Sequence, residues 1–338
     1  MYLKLRYIII LIALCGLMTS CTSDTTAEPD AGAEVEVTFV TADPSRAVAL
    51  SGINTEGSTF AIYGDMKFMN SDRPVNVFGG NAVTYRSGKW TYEDTQYWFP
   101  QHEHSFIAMH PAGATGLSET EYSNSQLSFT YTLPDNFEDA RDLLVATHRR
   151  MYSGMSSSAN PVMLRFWHIM SRINFMMNCY EPADKISVSI ELQGVNKTGT
   201  FSIIPAPLSS GGEQTNDYIF SWTDLLNNGT FSIDVTDIDT NEEGEAGTSL
   251  FPDNNALFMI PQPDNKDIIM KITCTLYDAD AEPVDQFGSE MPIAGWKAGK
   301  MYTYSLTVQP SIKDIYIDHV NVKEWKSGSD NNIDVPRK

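Results

Sequence analysis

The chain is written almost throughout in a period of two. Val35, Val37 and Phe39 alternate with Glu34, Glu36 and Thr38, the pattern of an extended strand with one buried face. Similar runs recur at 59–64, 82–85, 89–92, 105–109 and 127–133. After a polar, serine-rich link at 153–160 they resume at 163–179, 185–192, 200–204, 218–222, 230–235, 256–260, 268–277, 301–308 and 314–322. Clusters of Gly, Pro, Asn and Asp separate the runs, as at Arg86-Ser87-Gly88, where glycine provides the positive φ of a hairpin turn. In the half before the link, only 139–148 reads as a short helical or mixed segment. No helices alternate with strands to build a parallel sheet. The expected fold class is therefore all-β, two tandem β-sandwiches over 34–157 and 158–338, divided at the link before Pro161.

The N-terminus reads as an export signal. Lys4 and Arg6 precede an apolar run from Tyr7 to Leu14, too short for a permanent membrane span, and residues 1–20 form a secretory signal peptide. Met18-Thr19-Ser20 before Cys21 resembles the lipobox of bacterial lipoproteins, with Met18 where leucine is usual. That resemblance implies diacylation of Cys21, a palmitate-type anchor, and attachment to the outer membrane, since two or more acyl chains hold a protein stably. Residues 21–33, rich in Ser, Thr and Asp, read as a solvated tether.

Charge narrows the partners. The formal net charge is −20, and −22 once Lys4 and Arg6 leave with the signal. Such a chain repels nucleic acid, which is excluded as a partner. With Cys15 in the signal and Cys21 acylated, Cys179 and Cys274 remain in strand-like runs. A disulfide and two buried thiols both fit that placement.

No constellation carries catalysis. His102-Glu103-His104, with His110 nearby, is the best metal candidate, but a zinc site needs three or four converging ligands. The pair reads as a ligand-free segment in a loop after Pro100. Asp237-Ile-Asp239-Thr-Asn241 begins like a calcium loop, yet Glu242 and Thr248 stand where glycine and glutamate are required, so an acidic solvated loop is expected. There is no Gly-x-Ser-x-Gly elbow, and neither His148 nor His168 has a nucleophile in its sequence context. His168 reads as a packed histidine. Trp90, Tyr92, Tyr97 and Trp98 suit a sandwich core better than a sugar platform. No catalytic residue, cofactor or metal is expected.

Five motifs in order resemble the fimbrillin family of lipoproteins, pilus subunits of Gram-negative anaerobes. They are Tyr97-Trp98-Phe99-Pro100 with Phe106-Ile107-Ala108-Met109-His110-Pro111; Asp142-Leu143-Leu144-Val145-Ala146; Phe166-Trp167-His168-Ile169-Met170; Gly295-Trp296-Lys297-Ala298-Gly299-Lys300-Met301-Tyr302-Thr303-Tyr304; and Val322-Lys323-Glu324-Trp325. The resemblance implies transthyretin-like sandwiches and assembly by donor-strand exchange. An arginine-specific maturation protease would cut between Arg46 and Ala47, removing the first strand with Val35, Val37 and Phe39. The vacated groove would take a donor strand from residues 313–338 of another subunit, with Ile315 and Ile317 in one phase, Val320 and Val322 in the other, and a bulge between. The implied partners are other pilus subunits, the outer membrane, the protease, and a ligand on a host or bacterial surface. The rivals are a surface glycan-binding lipoprotein that never polymerises and a secreted hydrolase on the same scaffold. Stalk, tip and anchor roles stay open.

Overall fold

Alternating residues become strands because extended backbone places every second side chain on one face, where it is buried against a neighbouring layer. The computed structural model describes residues 35–41, 53–68, 71, 73–152, 161–179, 185–206, 218–238, 247–251, 256–278, 280 and 282–325, and those from Glu36 onward belong to one unit. In chain order the strands are β1 (Phe39–Thr41), β2 (Thr59–Phe68), β3 (Val75–Arg86), β4 (Lys89–Tyr92), β5 (His102–His110), β6 (Leu117–Ser123), β7 (Gln126–Thr132), β8 (Leu144–Tyr152), β9 (Val162–Leu164) and β10 (Phe166–His168). They continue as β11 (Ser171–Cys179), β12 (Lys185–Pro205), β13 (Tyr218–Ile238), β14 (Thr248–Ser249), β15 (Leu257–Met259), β16 (Ile268–Tyr277), β17 (Pro283–Ile293), β18 (Lys300–Gln309) and β19 (Asp314–Glu324). The all-β expectation holds.

Three larger sheets and a ribbon organise these strands. The first sheet runs β10-β8-β5-β2-β3-β4, and β1 pairs in parallel with β9 as a two-stranded ribbon. The second runs β17-β16-β12-β7-β6, with β13 also bonded to β12; the third runs β14-β11-β18-β19, with β15 on β11. Strands β6 and β7 precede the serine-rich link in sequence, yet they extend the sheet of β12 through pairs such as Phe129 with Phe201.

Within the first sheet, β2 and β5 are buried on both faces. Phe60, Ile62, Phe106 and Ala108 are buried on one side, whereas Ala61, Tyr63, Ile107 and Met109 join a core shared with Leu127, Phe129 and the later sheets. Asp65, almost fully buried, ties β2 to the β6–β7 turn: its Oδ2 accepts from the Ser125 backbone N–H at 2.6 Å and from Ser125 Oγ at 3.3 Å. In the later sheets the alternation is regular. Ile186, Val188, Ile190 and Leu192 of β12 are buried with Ile173, Phe175 and Met177 of β11. Cys179 and Cys274 enter this core as two thiols, not a disulfide, and burial pushes the Cys274 thiol up to about 12, with the Cys179 charge adding to it.

Some expectations are corrected. Residues 139–148 are not helical: a 3-10 turn at Phe137–Asp139 is followed by β8, which is held between β5 and β10. The local pattern misleads because β8 opens with Leu144, Val145 and Ala146 all buried, so no alternation is written there. His102 and His104 open β5 instead of lying in a loop. The separate runs at 185–192 and 200–204 are one strand, β12, as those at 218–222 and 230–235 are β13; register shifts near Val195 and Thr200 absorb the interruption. At Gly194 φ is +81°, and a Cβ would meet the Asp267 carbonyl oxygen at 2.6 Å, so glycine is required by both backbone and space.

Candidate functional site

The ribbon strand β1 is short, and of its three residues Phe39 is the one that is buried. Its register covers three pairs, Phe39 with Val162, Val40 with Met163 and Thr41 with Leu164. Around it, Val37 N–H donates to Gln96 O at 2.8 Å, Val162 N–H donates to Thr38 O at 2.7 Å, and Glu36 bridges Tyr97. Tyr92 Oη donates to Val37 O at 2.6 Å, and burial pushes that phenol up to about 12, so it keeps its proton and remains a donor.

The side chains of this segment fill a groove lined by aromatic rings. Val37 and Phe39 are buried, and Val35 is half-buried. The Phe39 ring lies 5.9 Å from Phe60, 5.7 Å from Phe78, 5.6 Å from Tyr92 and 6.1 Å from Phe106, all edge-on. Such contacts are the preferred geometry of aromatic clusters. Gly64 makes room for them: a Cβ there would stand 3.0 Å from Phe106 and 3.1 Å from Phe78.

At the other end of the chain, β19 pairs antiparallel with β18 from Asp314 to Glu324. Ile315 is fully buried, and Ile317, Val320 and Val322 pack partly buried against the same core. The expected irregularity falls at Asp318, where the register shifts between Leu306 and Ser305. Beyond the strand, Trp325 stacks on His168 with ring centroids 3.8 Å apart and on Phe258 at 5.7 Å. His168 Nδ1 lies 2.7 Å from Asp142 Oδ2. Burial raises the Asp142 carboxyl above its ordinary range, opposed by His168, His110 and Arg172 around it.

The remaining candidates are dispersed. His104 is buried beside Trp98 and Phe106; its Nε2 accepts from Phe99 N–H at 3.3 Å, which places the ring proton on Nδ1, 3.3 Å from His102 O. His102 Nδ1 turns to Pro100 O and His110 Nδ1 to Thr59 O, each at 2.8 Å. Among the described residues no three such side chains converge on a metal-sized site. Trp90 and Trp98 are core residues, Tyr92 is half-buried, and Tyr97 is 36% exposed. Cys21, Arg46 and Ala47 lie outside the described residues, as do positions 239–246 of the acidic segment. The aromatic lining of the groove was missed from sequence, although Phe60 and Phe106 fall within the expected runs at 59–64 and 105–109.

Comparison with known proteins gives one family and one fold. The fimbrillin-like family matches residues 38–325. No curated protein matches the chain. Among solved structures, a fimbrial protein from Bacteroides vulgatus is similar at 16% identity with a TM-score of 0.60, covering 86% of this chain and 99% of that one. A candidate cell adhesion protein from Bacteroides uniformis is similar at 15% identity, TM-score 0.52, covering 86% and 99% respectively. At such identities these likenesses establish the fold.

Proposed function

The chain belongs to the fimbrillin-like family, a structural and not an enzymatic one, and from that premise we propose that it is a surface pilus subunit that contributes to adhesion. In this reading the precursor is a lipoprotein anchored in the outer membrane through Cys21. Cleavage between Arg46 and Ala47 severs the segment carrying Val35, Val37 and Phe39 from the rest of the chain and makes it displaceable. The C-terminal segment of another subunit, with Ile315, Ile317, Val320 and Val322, then enters the vacated groove.

One observation carries the proposal. Phe39 is buried among four aromatic rings, yet its strand has a ladder of only three pairs, to a three-residue partner. Deep side-chain burial with a short ladder is what a replaceable strand requires. Removing it bares apolar surface beside unpaired backbone groups, a template for an incoming strand. The resemblances to fimbrial and adhesion proteins in Bacteroides support the same reading.

The test is treatment of the purified precursor with a trypsin-like protease, followed by electrophoresis. Wild type should give ladders of multimers, and Arg46→Ala should stay monomeric. A cleaved wild type that stays monomeric would transfer the assignment to a non-polymerising glycan binder. That second reading has its own support in Trp167, which is 56% exposed on the edge strand β10.

A further inference from the structure

The donor segment is not loose in this structure, and what holds it is unevenly distributed. At its start, a 3-10 turn at Pro310–Ile312 leads to Lys313 in the left-handed region with φ of 53°, and Lys313 Nζ is 2.9 Å from Asp285. Along its length β18 is its only ladder partner among the described residues, and that ladder is broken at Asp318. Ile315 alone is fully buried; Tyr316, Asp318 and His319 are exposed. An edge strand held this way opens from an end.

At the C-terminal end the hold is different in kind. Trp325 N–H donates to Gly299 O at 2.7 Å, and its ring lies parallel to two others, 14° from His168 and 5° from Phe258. These rings belong to separate elements. His168 ends β10 in the first sheet and is oriented by Asp142, whereas Phe258 is in β15 and opposes Arg172 of β11. The last ladder pair, Lys300 with Glu324, adds an ion pair at a partly exposed site, a class of contact that contributes little.

We infer that the Phe258–Trp325–His168 stack is a clasp that pins the C-terminal strand in its own sheet and keeps the subunit from donating it. The clasp is self-inhibitory. While Trp325 is stacked, Ile315, Ile317, Val320 and Val322 face the chain's own core and are unavailable to a neighbour. Once the stack opens, the ladder frays from Glu324 back toward the break at Asp318. The part played by β19 as donor rests on the proposed function; the pinning of β19 does not.

Hydrogen exchange on the full chain, read by mass spectrometry, tests the clasp directly. Trp325→Ala should speed exchange in residues 314–324 by about tenfold, the scale of one lost aromatic contact to a locally opening segment, while β12 and β16 stay protected. Trp325→Phe keeps an aromatic ring in the stack and should remain near wild type. Tyr316→Thr, on the same strand but outside the stack, should change little. Exchange in β19 at the wild-type rate in Trp325→Ala, or an equal effect of Tyr316→Thr, overturns the clasp. Protease-triggered assembly separates the two claims. Faster exchange without multimers in any protein leaves the clasp standing and removes strand exchange; multimers at wild-type rate with unchanged exchange do the reverse.

Discussion

Phe39 meets four aromatic rings at once, so its truncation leaves a cavity that no single neighbour can fill. Phe39→Ala is expected to lower the unfolding free energy by about 3–5 kcal/mol in urea titrations, the usual cost of such a truncation. A loss below about 1 kcal/mol would mean that the groove closes without its ring. His104 supplies a pH dependence. Burial lowers its pKa from the ordinary 6.5 to about 4, and its Nε2 is already committed as an acceptor from Phe99 N–H. The unfolded chain therefore takes up this proton at a higher pH than the fold does. Its contribution to stability is complete above pH 6.5 and declines as pH falls toward about 4. A melting temperature that falls across that window in wild type, and falls less in His104→Gln, is the expected result. Equal slopes in both proteins would assign the effect to other groups. The histidine spacing was legible in the sequence and read there as a ligand-free pair, but the burial of His104 against Trp98 and Phe106 was not.

Among the elements, β1 and β19 differ in how they are held. The β1 segment has one three-pair ladder and a bridge at Glu36, whereas β19 has a ladder from Asp314 to Glu324, interrupted at Asp318, and Trp325 beyond it. On the proposed reading, a precursor cut at Arg46 keeps its first segment bound by side-chain burial and a few backbone hydrogen bonds. Native mass spectrometry should find that segment still attached after cleavage and displaced by an excess of a peptide spanning 314–325. Retention of the segment against any excess would rule out β1 as the exchangeable strand. Other elements were legible to different degrees. Strand β16 alternates buried and half-buried residues from Ile268 to Ile272 and was expected; β17 was not, because only Phe287 and Ile293 of its eleven residues are buried at a sheet edge. A strand with so few inward side chains writes almost no period into its sequence.

Across the whole molecule, one core links what looks in sequence like two halves. Ala61, Tyr63, Ile107, Met109 and Val145 share it with β12, β16 and β18, and β7 is bonded directly to β12. The chain is therefore expected to unfold in one calorimetric transition, and a fragment 34–157 is expected to lack a cooperative melt because it bares that face. Two resolved transitions, or a folded fragment, would show that each half stands alone. The sequence by itself determined the all-β class and the alternating strands, because burial of one sheet face imposes period two wherever it occurs. It also carried, in five short motifs, the resemblance to the family that matches residues 38–325. Only the tertiary structure decided that β2 and β5 are covered on both faces, that β6 and β7 join the later sheet, and that Phe39 and Trp325 are each met by rings from distant elements. Those are contacts between segments far apart in the chain, and local period records that a residue is buried but not what buries it.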